Sequence, residues 1–195
     1  MTTSSLTPEE RDFLLTLARE TIEKAARVPA HDAEPVLDPP PTERLTEPGA
    51  SFVTLHTVTG ALRGCIGSLI ARRALIDDVH ANALAAAFHD PRFPPVTPEE
   101  LPNLVVEVSV LSHPKPLKYK GPKDLVAKLR PNVDGVVLQK GMYRATFLPQ
   151  VWEQLPTPET FLGHLCQKAG LPPDAWRAGD LEISTYQVEE FEESH

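Results

Sequence analysis

The stretch 51-SFVTLHTVTGALRGCIGSL-69 reads as two strands, 51–58 and 61–69, each alternating apolar and polar residues around a short turn at Thr59-Gly60. Glycine supplies the positive φ that a tight hairpin turn requires, so the two strands run antiparallel. The second arm holds two glycines, an arginine and one of the chain's two cysteines within eight residues, 62-LRGCIGSL-69. Either Cys65 is a reactive thiol beside Arg63, or it is a small residue where the backbone needs room.

Working outward, 7-TPEERDFLLTLARETIEKAAR-27 predicts a helix, with Thr7 as cap, Pro8 at the first helical position and Glu10 closing a capping box. Phe13, Leu14, Leu17, Thr21, Ile22 and Ala25 form its apolar stripe. Residues 28–50 carry six prolines, which predicts a Pro-rich loop or arm in place of regular helix or central strand. Downstream, 72–90 predicts a helix ending before Pro91, 97-TPEEL-101 a short helical turn, and 104-LVVEVSVL-111 a β-branched strand. Residues 122–130 predict a short helix, 133–139 and 142–148 a second hairpin turning at Lys140-Gly141, and 157–170 a helix capped by Thr157 and ended by Gly170. The last element is a single strand, 181–191. Hairpins and helices do not alternate as β-α-β units. The expected fold is therefore α+β, a mainly antiparallel sheet flanked by helices, within one domain over 1–195 that has a larger subdomain and a smaller one.

The chain has 195 residues, 41% of them hydrophobic, enough for a real core. Nineteen basic against 27 acidic residues give a net charge of −8, and no dense basic run offers a track for phosphates, so nucleic acid is a poor partner. No apolar run approaches the roughly 20 residues that span a bilayer, and the first residues lack a secretory signal. The expected location is the cytoplasm, with both cysteines reduced. The seven histidines form no H-E-x-x-H or H-x-H array, so no metal site is expected, and nothing implies a cofactor.

Strict alternation along 61–69 puts Arg63, Cys65 and Gly67 on one face, with Arg63 and Cys65 roughly 6.6 Å apart at the backbone. An arginine at that range favours the thiolate over the thiol. The alternative is that Cys65 is simply a small core residue. Gly64 and Gly67 imply a bulge or a close approach by ligand or backbone. On 104–111, Val106, Val108 and Val110 face the core and Glu107 and Ser109 face away, which makes Glu107 a general-base candidate or a solvent-facing carboxylate. Arg144 either binds an anion or sits in water. The turn 90-DPRFPP-95 is stiff punctuation after a helix.

With these residues in view, the chain resembles the AMMECR domain family, whose bacterial and archaeal members are called protein A of the AmmeMemoRadiSam system. The resemblance rests on 62-LRGCIGSL-69, 90-DPRFPPVTPEEL-101, 105-VVEVSVLSHP-114, 135-GVVLQKGMYRATFLPQVW-152 and 161-FLGHLCQKAGL-171. Ser68 stands where many members have threonine. The resemblance implies an α+β fold with a cleft near the L-R-G-C-I-G strand, and companions in the form of a Memo-like protein and a radical SAM protein. It supplies no established reaction. It adds weight to Arg63, Gly64 and Cys65 as a functional site and brings in Asp90, Arg92 and Glu107 as further candidates.

Two readings stay open. In the first, the protein is a thiol-dependent enzyme in which Cys65 attacks, Arg63 stabilises the thiolate or an anionic substrate, and Glu107 handles protons. In the second, it is a non-catalytic adaptor whose groove, with Gly64, Gly67, Asp90, Arg92 and Arg144 as binding residues, holds a small molecule, a peptide or the companion proteins.

Overall fold

A computed structural model describes residues 5–27 and 39–194. Its fold is α+β, and it divides into a larger unit, residues 1–111 and 189–195, and a smaller one, residues 112–188. No helix among the described residues is long and apolar enough to cross a membrane.

The larger unit begins with α1 (Pro8–Arg27). Its capping box forms as the sequence predicts: the Glu10 amide donates to Thr7 Oγ1 at 3.2 Å and the Thr7 amide to Glu10 Oε2 at 2.8 Å. Strands β1 (Pro48–Thr57) and β2 (Leu62–Gly67) make the hairpin, with Gly60 at φ +84° in its turn. Then come β3 (Arg73–Ala74), α2 (Leu75–Phe88) and β4 (Leu104–Leu111). The sheet order is β2-β1-β4-β9, where β9 is Val188–Glu192, and β3 lies beside the start of β1.

One face of this sheet is the core. Val53, Leu55, Val106 and Val108 are fully buried against Leu14, Leu17 and Ile22 of α1 and Val79 and Ala83 of α2. Each buried Val, Leu or Ile among them contributes about 1.5–3 kcal/mol of transfer free energy. Beneath α2 the buried Asp78 carboxylate accepts hydrogen bonds from the Ser51 amide (2.9 Å) and hydroxyl (2.8 Å), the Ser68 hydroxyl (2.9 Å), Arg73 Nε (3.0 Å) and Asn82 Nδ2 (3.0 Å). A buried charge is tolerated when every lone pair is met in this way. The network ties the end of β2 and the start of α2 to β1.

The smaller unit is a second antiparallel sheet, order β5-β8-β6-β7, from Lys115–Pro116, Glu182–Tyr186, Gly135–Lys140 and Tyr143–Phe147. It carries α3 (Gly121–Lys128) and α4 (Pro158–Lys168). Its core centres on Trp152 and Phe161, whose rings stack at 3.8 Å, with Leu138, Leu165, Cys166 and Ile183 around them.

Four element expectations are corrected. The Pro-rich segment does not reach residue 50: residues 28–38 lie outside the described part, Glu43–Thr46 forms a short 3-10 turn, and β1 starts at Pro48. Proline is tolerated there because it is the strand's first residue. The second helix starts at Leu75 rather than Arg72, since Arg73 and Ala74 pair with Gly49 and Pro48 as β3. The second hairpin turns at Gly141-Met142, one residue later than expected. The single strand 181–191 is two strands in two different sheets. They part at Gln187, whose amide donates to Ser112 Oγ (2.9 Å) and whose Nε2 donates to Asp134 Oδ1 (3.0 Å). Periodicity cannot show such a change of sheet, because both halves keep the same alternation.

Candidate functional site

The register of the larger sheet decides which residues meet. Thr54 on β1 pairs with Cys65 on β2 on one side and with Glu107 on β4 on the other. Residues directly opposite each other in antiparallel strands share a face, so Cys65, Thr54 and Glu107 form one row on the face away from the core. The Thr54 hydroxyl donates to the Cys65 sulfur at 3.3 Å. Cys65 is half-buried and unbridged.

The Cys65 amide and carbonyl point away from β1, toward the open edge of the sheet, and are met there by the turn after α2. The Cys65 amide donates to Asp90 Oδ2 at 2.9 Å, and Arg92 Nη2 donates to the Cys65 carbonyl at 3.2 Å. Asp90 is 4% exposed and also takes the Arg92 amide, Nε and Nη2 at 2.7–3.0 Å. The Arg92 guanidinium, followed by the backbone amides of Cys65 and Arg92, holds the Asp90 carboxyl far below the usual carboxylate range against the cost of burial. Arg92 is in turn held more firmly charged, chiefly by Asp90 and in smaller part by Cys65. The 90-DPRFPP-95 turn is thus a surrogate strand that closes the edge of β2 at Cys65.

Arg63 does not meet Cys65 as alternation suggested. Gly64 pairs with Leu55 but Leu62 pairs with His56, so Arg63 is the extra residue of a β-bulge and the alternation is broken at that point. Its buried guanidinium forms a two-point ion pair with Glu100, Nε–Oε1 at 2.8 Å and Nη2–Oε2 at 3.1 Å, beside the Phe93 ring. That pair lowers the Glu100 carboxyl against burial, helped by the Thr97 amide.

Both glycines are needed for close packing within the protein. A Cβ on Gly64 would lie 2.2 Å from the Ala86 carbonyl oxygen of α2, and one on Gly67 would lie 2.1 Å from the Phe52 ring. Glu107 is half-buried and its carboxyl is raised, first by burial and then by Glu190, with His56 opposing and Glu192 adding. Arg144 belongs to the smaller unit, where it is exposed on β7 opposite Gln139 and is no part of this row. Cys166 is fully buried in the smaller unit's core, and burial raises its thiol. Among the described residues no three His, Cys, Asp or Glu side chains converge as a metal would require.

Sequence reasoning missed Thr54, His56 and Glu100. Alternation from Phe52 places Thr54 and His56 on one face, but only the strand pairing turns that face toward Cys65. Glu100 carried a signal in the Thr-Pro-Glu-Glu start pattern, since its carboxylate also accepts the Thr97 amide at 2.9 Å.

The AMMECR1 family model matches residues 15–191. Protein MJ0810 of Methanocaldococcus jannaschii is 40% identical over 196 residues, covering 96% of this chain and 92% of its own. Protein PF1979 of Pyrococcus furiosus is 41% identical over 193 residues, covering 94% of this chain and 88% of its own. The crystal structure of an uncharacterized protein, PH0010 from Pyrococcus horikoshii, superposes with a TM-score of 0.72 at 37% identity, covering 97% of this chain and 94% of that one.

Proposed function

The chain belongs to the AMMECR1 family, and on that footing we propose that it is a thiol-dependent enzyme whose nucleophile is Cys65. The observation that carries this reading is the row Cys65–Thr54–Glu107, in register across three strands, with a hydroxyl donating to the sulfur. A hydrogen bond to sulfur favours the thiolate, and a carboxyl raised by burial holds and exchanges a proton more readily than an exposed one. Arg92, tied to the Cys65 carbonyl, is the cation that supports the thiolate, while Arg63 holds the bulge in place through Glu100. The protein works in the cytoplasm with a Memo-like and a radical SAM companion, a reading supported by the resemblance of its motifs to protein A of the AmmeMemoRadiSam system.

The test is the rate at which iodoacetamide alkylates Cys65, followed by mass spectrometry against pH in a Cys166→Ser background. The reading expects alkylation at pH 7 roughly tenfold faster than that of an ordinary free thiol. A thiol that reacts slowly at every pH would sink it.

One observation favours a second reading, a non-catalytic adaptor. Gly64 and Gly67 make room for the Ala86 carbonyl and the Phe52 ring, Arg63 is bonded to Glu100, and Asp90 and Arg92 hold the backbone at Cys65, so most of the L-R-G-C-I-G signature is accounted for by architecture. In that case Cys65→Ser would retain full binding to the companion proteins and full activity of their shared pathway.

A further inference from the structure

The site as described has a sulfur and a carboxyl two strands apart, roughly 10 Å at the backbone from a strand spacing of about 4.8 Å. A proton cannot pass directly over that gap, so something between them must carry it. Along β1, Phe52, Thr54 and His56 alternate onto one face. Because Thr54 stands opposite both Cys65 and Glu107, His56, two residues further, is the diagonal neighbour of both. Diagonal pairs lie roughly 7–8 Å apart at the backbone, within reach of an aromatic side chain.

Resting on the thiol reading above, we propose that His56 is the catalytic base of this site: its imidazole takes the Cys65 proton, and Glu107 stabilises the imidazolium that results. The S–H bond breaks, an N–H bond forms on the ring, and the electron pair stays on sulfur as the thiolate. The Thr54 hydroxyl continues to donate to that sulfur.

Three further observations support the assignment. The register shift lies at Leu55/His56, the point at which Arg63 is expelled from the alternation and its guanidinium bonded to Glu100. Bulges next to sites commonly re-aim a side chain in this way. His56 eases the ionisation of Glu107 against burial and against Glu190 and Glu192, so the ring and the carboxylate interact electrostatically. His56 also lines an open groove of 610 Å³ with Val58, Val105, Glu192 and Glu193, so a small molecule can reach its ring from a side that Cys65, Thr54 and Glu107 do not line. The charged groups around Cys65 and His56 are thus Glu107 on β4, Glu190 and Glu192 on β9, Glu193 after it, and the paired Asp90 and Arg92 at the edge of β2, where the carboxylate offsets part of the arginine's charge.

The experiment compares iodoacetamide alkylation of Cys65 against pH in Cys166→Ser protein and in the same protein with His56→Gln or Glu107→Gln. The expected result is a rate at pH 6.5 at least tenfold lower in His56→Gln, with a profile that follows an ordinary free thiol, and roughly threefold lower in Glu107→Gln. A His56→Gln profile superimposable on its parent, when the parent reacts fast, overturns this inference and leaves the thiol reading standing. A parent that is slow at every pH overturns both. A measurement that needs no substitution is the NMR signal of the His56 ring in the Cys166→Ser protein: it is expected to shift when Cys65 is alkylated, and an unmoved signal overturns the assignment.

Discussion

Asp90 accepts the amide hydrogen of Cys65 at 2.9 Å, so a side chain 25 residues along the chain does for β2 what a neighbouring strand would do. Arg92 completes the arrangement by donating to the Cys65 carbonyl at 3.2 Å. An edge strand with free amides and carbonyls invites pairing by other chains, and here that edge is occupied at Cys65. A partner peptide therefore does not add to the sheet at this position.

Asp90→Asn should lower stability by about 2 kcal/mol at pH 7, because the amide nitrogen meets donors where the carboxylate met them on both oxygens. The folded carboxyl titrates below its unfolded value of about 3.9. Its contribution is therefore complete above about pH 5 and fades as pH falls through and below 4. Urea unfolding of both proteins at pH 7 and pH 3 checks this: a gap that stays constant with pH would contradict the role given to the charge.

Gly64→Ala should cost about 3 kcal/mol or prevent folding, since its Cβ meets a helix carbonyl at 2.2 Å and backbone cannot step aside. Gly67→Ala meets a side chain instead, so Phe52→Leu should recover at least half of its loss. Thermal melts of the two single variants and the double variant decide it. Equal losses for Gly67→Ala in both backgrounds would show that the ring is not the obstacle.

Glu107→Gln should stabilise the protein at pH 7, by roughly 2 °C in Tm. The folded carboxyl is raised, so the folded state holds its proton more tightly, and ionisation costs stability as pH rises above the unfolded value of about 4.3. The advantage of the variant should vanish as pH falls below 4. A variant less stable than its parent at pH 7 would mean that the carboxylate has a partner that offsets its burial.

Arg92→Ala and Arg63→Ala should separate reactivity from stability. Loss of Arg92 removes the cation beside Cys65 and should slow its alkylation at pH 7 by about threefold, a modest effect because the Arg92 side chain is 53% exposed. Loss of Arg63 removes the ion pair of Glu100, which keeps only the Thr97 amide, and should cost about 1–2 kcal/mol while changing the alkylation rate by less than about 1.5-fold. The reverse ordering would return Arg63 to the role that simple alternation gave it.

Much of the fold was legible because local chemistry speaks for itself. The capping box of Thr7 and Glu10, the Thr157 cap and the hairpin turn at Gly60 formed where the sequence put them, and 104–111 is a strand over its whole span. These signals act over a few residues and need no knowledge of what lies across the sheet. The position of Cys65 on a glycine-bearing strand was legible for the same reason.

Only tertiary structure decided which residues surround that cysteine. Alternation gave Arg63 as its neighbour, but strand pairing inserted a bulge at Arg63 and set Thr54 against the sulfur. The glycines allowed a binding cleft or close packing, and the answer lay in the Ala86 carbonyl and the Phe52 ring. Asp90 and Arg92 looked like punctuation and proved to be the surrogate edge of a strand. The physical reason is common to all three: side-chain periodicity belongs to one strand, whereas register, bulges and edge partners belong to pairs of segments far apart in sequence.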